Sequence, residues 1–204
     1  MDAHAKREPV DREIRRRQLA RRLVAHGART RTISLLTGLS RHQQATLRQR
    51  WRVPQNIRHR GPLPNSFANF RTNSRVREEA AALAALWRCV AHISSRSQAK
   101  VSEVECGEQL CDAFEIYLAC LLKSEFEFEH LTLLARGLDE ASTIALSNCT
   151  NCEGVILLDL QETRRYRCSH CHQWAEGRAL SLPEGNVMSE LPPEGGEAVQ
   201  RELF

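Results

Sequence analysis

Cys149-Thr150-Asn151-Cys152, then fifteen residues, then Cys168-Ser169-His170-Cys171: this stretch decides what the end of the 204-residue chain can be. Each Cys-x-x-Cys holds two sulfurs on one side of a tight turn. Two such pairs at this separation are the usual frame of a four-thiolate metal site. Zn–S bonds of about 2.3 Å would close a tetrahedral shell with no position left for water or substrate, so a zinc held there is structural. The expected ligands are Cys149, Cys152, Cys168 and Cys171, with one Zn²⁺ per chain. Gly154 follows the first pair and is expected to supply unusual turn angles. Val155 to Leu158 reads as a strand and Arg165 to Arg167 as its return, which makes residues 148–174 a zinc-ribbon-like module of four cysteines. Metal binding should supply on the order of 10 kcal/mol of local folding energy. The competing reading is two unlinked pairs of buried or disulfide-bonded cysteines. His170 and His172 lie close enough to replace one cysteine, but exposed positions are expected for them.

Upstream of this module the composition allows one domain of ordinary size. The chain is 42% hydrophobic and only 5% aromatic. It has no apolar run of membrane-spanning length, and its charged N-terminus lacks the apolar core of a signal peptide. A cytoplasmic location is therefore expected. There thiols stay reduced, which favours metal over disulfides. Cys89, Cys106, Cys111 and Cys120 lie among apolar residues and are expected to be small buried hydrophobes.

Charge is strongly polarised. Residues 1–60 carry sixteen Lys and Arg against four Asp and Glu, a local +12; the remaining 144 carry thirteen against twenty-one, or −8. Such a front end suits a polyanion. Its first segment, about Val10 to His26, reads as an amphipathic helix with Ile14, Leu19, Leu23 and Val24 inward and Gly27 as C-cap. Next, Arg29-Thr-Arg-Thr-Ile-Ser-Leu-Leu-Thr-Gly-Leu-Ser-Arg-His-Gln-Gln-Ala-Thr-Leu-Arg-Gln-Arg-Trp51 has the order of a helix-turn-helix. Ile33 and Leu36 face inward, Gly38 ends the first helix, Leu39 plugs the turn and Ser40 caps the second helix. Ala45 and Leu47 are expected to pack it against the first, and Thr37 sits where an apolar residue is usual. In such motifs the second helix enters the major groove. The expected DNA-contacting residues are Arg29, Arg31, Arg41, His42, Gln43, Gln44 and Arg48, with Arg suited to guanine and Gln to adenine. Arg164, Arg165 and Arg167 offer a second contact from the ribbon.

Residues 1–52 thus form a basic, helix-turn-helix-like region. Residues 53–147 hold a connector, pinned by Phe67 and Phe70, and a three-helix core with a partner interface. The expected helices are Arg75–Ile93 (Leu83, Leu86, Trp87 and Val90 inward), Glu103–Leu122 (Leu110, Phe114, Tyr117, Leu118 and Leu121) and Phe126–Leu146 (Phe128, Leu131, Leu134, Leu138 and Ala141). Residues 175–204, with four Gly, three Pro and six Glu, read as a disordered acidic tail. The fold class is mainly α. No phosphate-binding glycine loop, Gly-x-Ser-x-Gly or His-Glu-x-x-His is present, and no cysteine outside the paired set has a catalytic context, so no enzyme is expected.

In one respect the order of these pieces is specific. Ala28-Arg29 leading into Gly38-Leu39-Ser40-Arg41, Leu63-Pro64 followed by Phe67 and Phe70, Ala113-Phe114-x-x-Tyr117-Leu118 and the four cysteines resemble the flagellar transcriptional activator FlhC family, from about Arg17 to Cys171. The resemblance implies zinc on the four cysteines and a hetero-oligomer with the small helical subunit FlhD. It also implies binding to flagellar promoters and recruitment of RNA polymerase. A rival is a zinc-ribbon protein-interaction scaffold without sequence-specific DNA contact. A nucleic-acid-acting zinc enzyme is disfavoured by the saturated sulfur shell.

Overall fold

The computed structural model describes residues 3–54, 64–95, 101–121, 123–124, 126–140, 143–161 and 167–171. The order is α1 (Ala3–Ala25), α2 (Thr30–Thr37), α3 (Arg41–Arg50), a 3-10 turn (Phe67–Phe70), α4 (Ser74–Ser95), α5 (Glu103–Cys120), α6 (Phe128–Glu140), β1 (Ile144–Asn148) and β2 (Val155–Asp159). The described residues are mainly helical, with one two-stranded antiparallel sheet. No helix among the described residues is long and apolar enough to cross a membrane. The expected return strand at Arg165–Arg167 falls largely outside the described residues, as do His172, Ala141 and the tail.

The main core of the described residues runs from Leu19 on α1 to Ile144 on β1, and a second, small cluster holds Cys149, Ile156, Leu158 and Cys171. Leu19, Leu23 and Val24 are buried as their spacing predicts, while Ile14 is 48% exposed. Each fully buried aliphatic side chain contributes about 1.5–3 kcal/mol. Gly27, in the left-handed region at φ 71°, ends α1: Ala28 N–H reaches Leu23 O at 2.9 Å and Gly27 N–H reaches Val24 O at 3.1 Å. That hydrogen-bond pair satisfies carbonyls the helix itself leaves open. On α5, Leu110, Phe114 and Tyr117 are buried, but Leu118 faces outward. Of the scattered cysteines only Cys111 is buried; Cys106 is half-buried, and Cys89 and Cys120 are exposed. Burial pushes the Cys111 thiol up to about 12, despite the opposing Arg22 charge.

The last helix is shorter than its periodicity predicts. It stops at Glu140, and Ile144–Asn148 becomes a strand because it has a partner: Ile144 pairs with Asp159 and Asn148 with Val155. Ile144 enters the helical core, so the hairpin is rooted in the body. Arg71 after the 3-10 turn clamps the far end of β2 through Asp159 at 3.0 Å. Phe70 is buried there, 5.3 Å ring-to-ring from Phe126. Phe67 lies over Gly137, where a Cβ would come within 2.5 Å of its ring. The two phenylalanines do pin the connector.

Candidate metal centre and basic helix pair

The β1–β2 turn carries the first cysteine pair. Cys149 N–H donates to Gly154 O at 2.8 Å and Glu153 N–H to Cys149 O at 2.9 Å, closing a tight loop around residues 149–154. The left-handed residue is Glu153, φ 59°, and not Gly154. At Gly154 a Cβ would sit 3.4 Å from Cys152 Sγ, at the edge of ordinary contact. A short helical turn brings Cys168 and Cys171 opposite. The four Sγ atoms lie within 4.8 Å of one another, and Cys152 and Cys168 are 3.7 Å apart. A tetrahedral shell with bonds of about 2.3 Å needs sulfurs about 3.8 Å apart. The four cysteines fit a metal ion. His170 is exposed.

Hydrogen bonds tune the sulfurs. Cys168 N–H points at Cys149 Sγ, Cys171 N–H at Cys168 Sγ, and Asn151 Nδ2 at Cys171 Sγ, each at 3.3 Å. The N–H groups of Cys168 and Asn151 draw the Cys149 thiol down to about 6. At Cys152 the Gly154 N–H pulls the same way, but hydrogen bonds with the other three sulfurs prevail and push it up to about 12. These hydrogen bonds favour the thiolate at Cys149 over Cys152, and a metal ion requires all of its sulfur ligands deprotonated. In the sequence Asn151 is legible only as a spacer inside its knuckle.

The helix pair α2–α3 is built differently. Gly38 takes φ 68° and its N–H reaches Ser34 O at 2.8 Å. Leu39 is buried in the turn. Ser40 and Gln43 exchange hydrogen bonds in a capping box at the start of α3. Buried Thr37 is satisfied in place: its hydroxyl donates to Ile33 O at 2.5 Å and accepts from Leu39 N at 3.2 Å. Residue Arg29, at the N-cap of α2, gives no side-chain cap. Glu129 of α6 does that work from 100 residues away, its carboxylate accepting from Arg29 N–H and the Thr32 hydroxyl, both at 2.7 Å. Glu129 is 2% exposed. Its only trace in sequence is one carboxylate beside the apolar stripe of α6.

The seven residues expected at DNA are divided by the fold. Arg31, Arg41, His42 and Gln43 are exposed, and Arg29 is half-buried. Gln44 and Arg48 point inward, contrary to expectation. The Gln44 amide donates to Thr30 O, Ser34 Oγ and Leu39 O at 3.2, 2.8 and 3.0 Å, and Arg48 reaches Ala28 O at 3.4 Å. The cause is the thin apolar stripe of α3. Ala45 is exposed and Leu47 only half-buried, so a polar amide fills the gap against α2 and closes its backbone acceptors.

Basic residues of α1 are also engaged. Arg15 pairs with Glu108, and Arg22 meets Asp112 at 2.5 Å and Glu115 at 3.0 Å on α5. Arg17 pairs with Glu13 at 2.8 Å, and Arg16 donates to Thr37 O at 2.6 Å. From Val10 to Pro54, Arg21, Arg31, Arg41, Arg50 and Arg52 have no ion pair or side-chain hydrogen bond. No family model matches the chain, and no curated protein matches it.

Proposed function

We propose that the protein is a zinc-containing, DNA-binding transcriptional regulator. It acts in a hetero-oligomer with a helical partner, as FlhC does with FlhD, and activates flagellar promoters through RNA polymerase. The observation that carries duplex binding is the charge distribution. No Asp or Glu occurs between Glu13 and Glu78, and among the described arginines of that span Arg21, Arg31, Arg41, Arg50 and Arg52 have no ion pair or side-chain hydrogen bond, four of the five lying on α2, on α3 or within two residues of its end. A cationic surface of this kind attracts the phosphate backbone by releasing counterions. Zinc suits the four-thiolate set and its spacing; bound there, it ties the β1–β2 turn to the second cysteine pair, and no chemistry on substrate is proposed for it. Exposed apolar side chains at Leu35, Ile93, Ile116 and Leu118 support a partner subunit.

Those same apolar side chains favour the rival scaffold reading. A salt series separates the two. The full chain on a labelled duplex should lose affinity with a log–log slope of about −3 to −4, as four phosphate contacts require. Absence of binding at low salt, or affinity indifferent to salt, would leave the scaffold.

A further inference from the structure

We infer that sequence is read by His42, Ala45, Thr46 and Gln49 on the outward face of α3, and not by Gln44 and Arg48, which hold the helix pair together. The inference rests on duplex binding as proposed above and adds which side chains face the bases.

Three observations place the reading face. First, burial fixes the rotation of α3: Gln44 and Arg48 are inside, and Leu47 and Trp51 pack against the core. At 100° per residue the opposite side of the helix is centred on His42, Thr46 and Gln49, with Ala45 beside them. All four are exposed. Second, the polar groups of His42 and Gln49 are uncommitted. His42 and Gln49 side chains make no hydrogen bond to another described residue. The Thr46 hydroxyl folds back onto His42 O at 3.1 Å, and Thr46 and Ala45 each carry a methyl group at an exposed position. An amide suits the N6/N7 edge of adenine, and small methyl groups suit the thymine methyl. Third, cations bracket the face. Arg41 opens the helix, Arg50 closes it and Arg52 follows at φ 51°. A helix of ten residues is about 15 Å long, against a major groove about 12 Å wide. Its two ends therefore reach the flanking phosphates when its middle lies over base edges. Gln43 is the exposed side chain already committed, to the capping box.

The test is selection from a randomised duplex library with the full wild-type chain and with His42→Ala, Gln49→Ala and Gln44→Met. Wild type should enrich a motif. Gln49→Ala and His42→Ala should each relax preference at one or two positions by about 5- to 150-fold, the range of one good base contact. Their affinity for unselected duplex and their salt slope should stay unchanged. Folded Gln44→Met should keep the wild-type motif. A motif unchanged by both outward substitutions, or shifted by Gln44→Met alone, would overturn the assignment while duplex binding stands. A wild-type chain that retains no duplex at low salt would overturn duplex binding itself, and the assignment with it.

Discussion

The cysteine module and the α2–α3 pair are both too small to fold on apolar burial alone, and they solve the problem in opposite ways. In the module the fixing atoms are four sulfurs, brought within 4.8 Å of one another from two short motifs. In the helix pair they are polar groups scattered along the chain: the Gln44 amide, the Ser40–Gln43 capping box and the Glu129 carboxylate. A local cross-link announces itself by spacing. A lattice of long-range hydrogen bonds does not, and it also decides which polar side chains are left over to meet a ligand.

The sharpest way to break this comparison is to remove a sulfur. Cys149→Ser or Cys168→Ser should release one equivalent of metal per chain, seen by elemental analysis, and unfold the β1–β2 turn. Metal-free wild type with the turn intact would erase the contrast. Next is Glu129→Ala. It leaves the Arg29 N–H and Thr32 hydroxyl without their buried acceptor, and a loss of about 3 kcal/mol in chemical denaturation is expected; a loss below about 0.5 kcal/mol would mean α2 needs no cap from α6. Gln44→Ala should cost about 2 kcal/mol for the abandoned acceptors and cavity, whereas exposed Gln49→Ala should stay within about 0.5 kcal/mol. Equal effects would contradict the rotation of α3.

The smallest effect concerns α1. Arg22, then burial opposing it, then His26 set the Glu115 carboxyl, and the balance is downward from its usual range. A depressed carboxyl stabilises the fold above the pKa of the unfolded chain, and that stabilisation disappears as pH falls through the folded value. Glu115→Gln should therefore cost under about 1 kcal/mol at pH 7, since the pair is half exposed. The difference from wild type should disappear as pH falls through the folded carboxyl's lowered range. A gap that persists at acid pH would mean the residue acts by packing.

Legibility follows the range of the interactions. Gly27, Gly38, Leu39 and Ser40 act within a few residues of themselves, and each does what its position predicts. The cysteine spacing likewise locates the cluster that could hold a metal. The end of α6 is hidden because Ile144–Asn148 is helical by period, and its strand partner lies beyond the first knuckle. Gln44 and Arg48 mislead for a related reason: a polar residue on a weakly apolar helix has no sign of which way it turns until the neighbouring carbonyls are known. Similarly, Arg15 and Arg22 of α1 look free in sequence and are consumed by α5 acids some 90 residues away.

Hydrogen–deuterium exchange of the full chain with and without a DNA duplex tests the central claim most directly. Duplex should slow exchange most across Arg41–Arg50, with little change in α5 from Leu110 to Tyr117, whose inward face is buried in the core. Unaltered exchange in α3 while another surface becomes protected would contradict the account.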